Sequence, residues 1–123
     1  MLFFLATIGA VVALFLLSAL SGAPYVPTHK KQANTAFTSL RRVTKKDTVL
    51  DIGSGDGVVM LAALQQGAGC VVGYEINPLL VFVTKLRLYR YIRRGRAVVQ
   101  VKNFWNAAFP DTTTVVYTFG ESR

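Results

Sequence analysis

The sequence is short of acid, of cysteine and of histidine. Six Asp and Glu stand against fourteen Lys and Arg, giving a formal charge of +8 at pH 7. Cys70 has no second cysteine with which to close an intramolecular disulfide, which leans toward a reducing compartment. With His29 as the only histidine, His and Cys together cannot assemble a zinc site, and no metal is expected. Length is scarce too, because 123 residues hold one core and exclude a multidomain enzyme. Charged residues amount to 16% and hydrophobic ones to 52%, too apolar a mixture for a disordered chain. Charge is missing altogether from residues 1–20, so the excess of cations belongs to the rest of the chain.

That uncharged stretch, MLFFLATIGAVVALFLLSAL, is interrupted only by Thr7 and Ser18 among polar side chains. As an α-helix of about 1.5 Å per residue it would reach about 30 Å, the thickness of the bilayer hydrocarbon. A single-pass anchor over 1–20 is therefore expected. A cleaved signal peptide is the competing reading, since Ser21-Gly22-Ala23 offers small residues, but no Lys or Arg precedes the apolar run and the run is long for a signal. Lys30, Lys31, Arg41, Arg42, Lys45 and Lys46 follow it closely, which by the positive-inside rule keeps the remainder on the cytoplasmic or organelle-matrix side.

Residues 21–28 hold Pro24 and Pro27 and read as a stiff linker; 29–123 read as the one folded domain. Thr28 is placed to cap a helix running to about Arg42, because Ala33, Ala36, Phe37 and Leu40 recur at helical spacing. From residue 48 strands and helices alternate. Strands are expected at 48–52, 70–75, 97–102 and 114–119, with helices at 57–66 and 78–94, stopped by Gly67 and Gly95. Strands joined by helices of this length form a parallel sheet in an α/β, Rossmann-like fold. A doubly wound sheet usually continues further, so this one is expected to be truncated after the fourth strand, with an unpaired edge. Cys70, in an apolar run, reads as a small core residue.

The chemistry concentrates in VLDIGSGDG, residues 49–57, where a strand meets a helix. Gly53 and Gly55 permit positive φ and remove side chains that would block a ligand, while the helix start presents free N–H groups. A bare turn needs one glycine; three at alternate positions, running from Gly53 through Ser54 and Gly55 to Gly57, suit a turn that touches a ligand. The spacing is not the G-x-G-x-x-G of dinucleotide sites, and Asp51 and Asp56 would repel a pyrophosphate. A cation fits better. S-adenosylmethionine carries a sulfonium and an ammonium and no phosphate, and Asp51 with the loop backbone suits its amino-acid end. Glu75, twenty-four residues after Asp51 at the end of the second strand, stands where an acid accepts bonds from both ribose hydroxyls. Asn103, after the third strand, could bond the adenine edge, with Phe104 or Trp105 beside the ring; it is also an ordinary turn residue.

DIGSGDG followed by GYEINP resembles motif I and the acidic second-strand end of class I S-adenosylmethionine-dependent methyltransferases. Taken with the apolar N-terminus, PYVPT, VGYEINPLLV and NFWNAAF, the chain is similar over residues 24 to about 120 to the small membrane-anchored protein-lysine methyltransferases of the ATP synthase c-subunit and adenine nucleotide translocase type, and to their prokaryotic relatives. The resemblance implies cofactor contacts at Asp51, Gly53, Gly55, Gly57 and Glu75, with Asn103 where those relatives usually have Asp. It implies lysine N-methylation of a protein substrate, itself a membrane protein in the simplest reading. It also implies strands and a substrate-binding helix beyond the VVYTFG stretch, so the alternative is a non-catalytic, cofactor- or partner-binding fragment. No catalytic base is assigned; Tyr25, Thr28 and Tyr117 are candidates only. The 78–94 helix, rich in Lys and Arg among apolar residues, reads first as a sheet-packing helix with a solvated basic side, next as a contact for anionic lipid headgroups, and last as a nucleic-acid surface, since no aromatic motif for base recognition accompanies the charge.

Overall fold

A computed structural model describes residues 1–21 and 30–119, without the side chains of 18–21. Helix α1 spans Leu2–Ser21, as the charge-free run requires. Among the described residues, however, no helix is long and apolar enough to cross a membrane. The expected helix is present over Leu2–Ser21, and the spanning role expected of it is not shown. The expected linker, including Tyr25 and Thr28, lies outside the described residues.

Helix α2, Lys30–Thr35, runs directly into a wider π-type turn over Ala36–Leu40 where one α-helix to Arg42 is expected. There the Arg41 N–H closes on the Ala36 carbonyl five residues back, and the Thr35 and Thr38 hydroxyls donate to the carbonyls of Lys31 and Asn34, at 2.9 and 2.7 Å.

Four strands follow: β1 Thr48–Ile52, β2 Cys70–Glu75, β3 Ala97–Val101 and β4 Val115–Thr118. All neighbours are parallel, in the order β3-β2-β1-β4. The chain thus builds outward from β1 to β3 and then returns to the other side of β1. The break in strand order falls between β1 and β4, and open parallel sheets bind ligands at the carboxyl ends of the strands flanking such a break.

Helix α3, Val58–Gln65, joins β1 to β2; α4, Pro78–Arg87, and α5, Tyr89–Arg93, join β2 to β3. Asn77 caps α4 by accepting from the Leu79 and Leu80 N–H groups, with Pro78 in the first turn where its missing N–H costs nothing. The single helix expected over 78–94 is interrupted at Leu88, whose carbonyl accepts from both Tyr91 and Ile92. This tight turn keeps Leu88 fully buried while Tyr91 swings under the Arg96 guanidinium.

One sheet face packs Val49, Val71, Ala97 and Val99 against Phe37 of the π-type turn, Met60 of α3, Val81 of α4 and Leu88 at the break after α4. Each fully buried Val or Leu contributes about 1.5 to 3 kcal/mol relative to exposure. Gly73 permits this approach, because a Cβ there would strike the Met60 thioether. The opposite face buries Leu50, Val72 and Tyr74 beneath Phe104 and Ala107. Cys70 is not in the core: it opens β2, half-buried, where the strand emerges from the Gly69 turn, and burial pushes its thiol up.

Candidate functional site

The site grows from the point where β1 stops pairing. The β1–β2 register ends at Ile52 opposite Tyr74, and the next two N–H groups, of Gly53 and Ser54, both turn to the Tyr74 carbonyl at 2.8 and 3.0 Å. The backbone then curls through Gly53, Gly55 and Gly57 at φ of 73°, 54° and 82°, in the left-handed region where a Cβ is strained. Above Gly53 the space is open, with nothing within 4 Å of where a Cβ would stand. Gly57 is different. A Cβ there would meet the Thr84 methyl at 2.6 Å, so this glycine is required both by its φ and by the contact of the turn with α4.

Glu75 closes the turn. One carboxylate oxygen accepts from Gly55 N–H at 2.8 Å and the other from Asn77 N–H at 2.9 Å. Each oxygen keeps a second lone pair, so the ribose-binding role expected of Glu75 remains open to it while its first task is to hold two backbone segments together. Beneath the turn lies Asp51, 2% exposed, with Oδ2 lacking any hydrogen-bond partner. Burial, then the neighbouring Glu75 and Asp56 carboxylates, push its pKa up to about 8. The Ser54 hydroxyl is likewise buried without a partner.

These orphaned atoms are the test of whether a cofactor fits. A buried carboxylate oxygen and a buried hydroxyl that face no partner within the protein are stabilised by a cationic donor arriving from outside. A phosphate would meet three acidic side chains. The residues therefore suit an ammonium-bearing ligand with vicinal hydroxyls. Among the described residues, no group of three or more His, Cys, Asp and Glu is arranged to hold a metal ion.

Asp51, Gly53, Ser54, Gly55, Gly57 and Glu75 are thus brought together. Asn103 stands two residues past the end of β3, beside Glu75, whose carbonyl accepts from Lys102 N–H at 3.1 Å. Its side-chain oxygen is engaged in capping the short 3-10 turn Phe104–Asn106, accepting from Trp105 N–H at 3.1 Å, which leaves its amide N–H groups for a ligand. Phe104 turns into the second core cluster, and Trp105, 80% exposed, is the ring available at this edge. Tyr117 pairs with Asp51 across β1 and β4 and packs on Phe37 at 5.6 Å between centroids; burial first and Asp51 second raise its pKa.

Two contacts of the site are absent from the sequence reading. Thr84, fully buried on α4, donates to the Gly55 carbonyl at 3.0 Å, and Arg87 lies 3.6 Å from Asp56. The signal for Thr84 is its phase: it shares helical spacing with the buried Leu80, Val81 and Leu88, where a polar residue needs a partner. We expect Gly57→Ala to destabilise the chain by about 1 to 3 kcal/mol, through backbone strain and the clash. Thr84→Ser, which removes the methyl and keeps the hydroxyl, should recover part of that loss. Urea denaturation of the two single variants and the double variant measures the coupling; strict additivity would show that the two residues do not touch.

Residues 29–104 match the family described as ribosomal protein L11 methyltransferase (PrmA). The chain is 35% identical over 114 residues to the ATP synthase c-subunit lysine N-methyltransferase of Mus musculus, covering 91% of this chain and 45% of that protein. It is 34% identical over 92 residues to the adenine nucleotide translocase lysine N-methyltransferase of the same species, covering 75% and 39%. It thus spans less than half the length of either relative. Among solved structures it is similar to an RNA methyltransferase from Salinibacter ruber in complex with S-adenosyl-L-homocysteine, with a TM-score of 0.68 and 27% identity over 76% of this chain and 60% of that one.

Proposed function

Because the chain belongs to the PrmA-type class I methyltransferase family, we propose that its glycine turn binds S-adenosylmethionine and that it takes part in N-methylation of a protein lysine. The observation that carries the reading is the partnerless Asp51 oxygen buried under three left-handed glycines and beside Glu75. The names of the two lysine N-methyltransferase relatives support the acceptor class. When bound, the cofactor supplies an electrophilic methyl on a sulfonium. The chain's residues then have distinct tasks. Asp51 holds the ammonium, Glu75 accepts from the ribose hydroxyls, and the Asn103 amide and Trp105 edge border the adenine. Positioning of this kind can lower a barrier by up to about 7 to 11 kcal/mol.

In this reading α1, with no charged side chain from Leu2 to Ser21, anchors the protein as a single pass. The cations that follow it favour the cytoplasmic or matrix side for the domain. A membrane protein is then the substrate within reach. The test is incubation of purified full chain with membranes and radiolabelled S-adenosylmethionine. We expect one labelled membrane polypeptide whose label survives base and maps to lysine. Cofactor binding by calorimetry with no labelled lysine would reduce the function to a binding module, and absence of binding would remove the reading altogether. Carbonate extraction that releases the intact chain would defeat the anchor alone.

A further inference from the structure

Helix α4 buries one flank, and the half-buried Tyr91 and Ile92 of α5 continue it past the break at Leu88. Leu80, Val81, Thr84 and Leu88 are buried, while Phe82 and Leu86, four residues apart on α4, are 57% and 63% exposed, and Tyr89, just past the break, is 57% exposed. Single exposed apolar residues are ordinary; what makes this stripe informative is its setting. Every charged residue from Ile76 to Lys102 is a Lys or Arg. Lys85, Arg90 and Arg93 are exposed alongside the stripe, and the Arg93 guanidinium lies over the Tyr89 ring at 5.9 Å. Arg87 is already engaged with Asp56.

An apolar stripe flanked by long cationic side chains matches the boundary of a bilayer whose surface is negative. The rings and the leucine enter among the acyl chains, and the cations remain with the phosphates. A nucleic-acid backbone would use the same cations but gain nothing from Phe82 and Leu86 in water. We propose that the outer flank of α4 and α5 docks on an anionic phospholipid surface, with Phe82, Leu86 and Tyr89 inserted and Lys85, Arg90 and Arg93 on the headgroup phosphates. This surface requires neither cofactor binding nor a spanning α1.

The experiment places a reporter in the stripe: the full chain carrying Leu86→Trp and Trp105→Phe, with circular dichroism as the folding control. It is mixed with vesicles of phosphatidylcholine alone or with phosphatidylglycerol, each containing brominated acyl chains. We expect quenching of the reporter in anionic vesicles and little in neutral ones. Adding Arg90→Glu and Arg93→Glu should lower the vesicle partition coefficient by at least about five-fold for each cation replaced. A reporter left in water while the protein co-floats with anionic vesicles overturns the proposal, as does equal quenching in neutral ones. Tight, salt-sensitive binding of duplex RNA that is indifferent to Phe82→Ser and Leu86→Ser, with the reporter still in water, would assign the face to nucleic acid instead. Failure of the anchor reading is seen separately, as absence of the protein from floated neutral vesicles.

Discussion

Glu75→Ala is expected to damage the fold and the cofactor site together, and to separable extents. Its carboxylate accepts from Gly55 N–H and Asn77 N–H, so alanine strands two donors, one in the glycine turn and one at the start of α4. Each stranded donor costs about 1 to 3 kcal/mol, and thermal or urea unfolding should register a loss of that order for the pair. S-adenosylmethionine affinity should fall by about 10- to 100-fold more than the stability change accounts for, since two hydroxyl bonds to a charged acceptor are lost as well. Glu75→Gln sharpens the distinction. Gln keeps one acceptor oxygen and should recover one of the two backbone bonds, yet it cannot accept from both hydroxyls. Calorimetry and unfolding on the same samples decide: stability lost with affinity unchanged in the folded fraction would make Glu75 a brace and nothing more.

The brace that Glu75 makes to the backbone shows what a sequence reveals and what it withholds. Its place at the end of β2, and Thr48–Ile52 and Cys70–Glu75 as strands, are legible to the residue because β-branched runs end in turn residues there. The turn through Gly53, Gly55 and Gly57 is legible from glycine spacing and flanking acids, all local signals. The brace between Glu75 and Gly55 crosses twenty positions, and that between Thr84 and Gly55 twenty-nine. Such contacts depend on how α4 lies against the β1 turn, which no window of neighbours encodes. The interruption at Leu88 escapes for the same reason, being set by the need to bury that one side chain. Cys70 misleads in the other direction: its run is apolar, but it sits at the strand's first position, where the chain is still leaving a turn.

Asp51 carries the prediction with the largest pH signature. Burial and the nearby Glu75 and Asp56 hold its carboxyl proton to a pH of about 8. A carboxyl raised in the folded state above its unfolded value favours folding fully below the unfolded pKa, and that advantage is lost as pH rises through the folded pKa. The free chain should therefore lose stability from about pH 4 to about pH 8, at a rate approaching 1.4 kcal/mol per pH unit if Asp51 acts alone. Asp51→Asn has no proton to lose. Its unfolding midpoint should stay flat over that window and exceed the parent's at pH 8, by about 2 to 5 kcal/mol in unfolding free energy. Binding should run the opposite way. An ammonium needs the ionised carboxylate, so parent affinity for S-adenosylmethionine should climb toward pH 8 and then decline as the ligand's own amino group, with a pKa of about 8, deprotonates. The rising limb should vanish in Asp51→Asn, with the overall affinity lower. A variant stabler yet weaker for the cofactor is what a site held under strain for its ligand produces. Parallel unfolding and binding profiles in the two proteins, by contrast, would mean that Asp51 is ionised in the free chain and that the partnerless oxygen is not waiting for a cation.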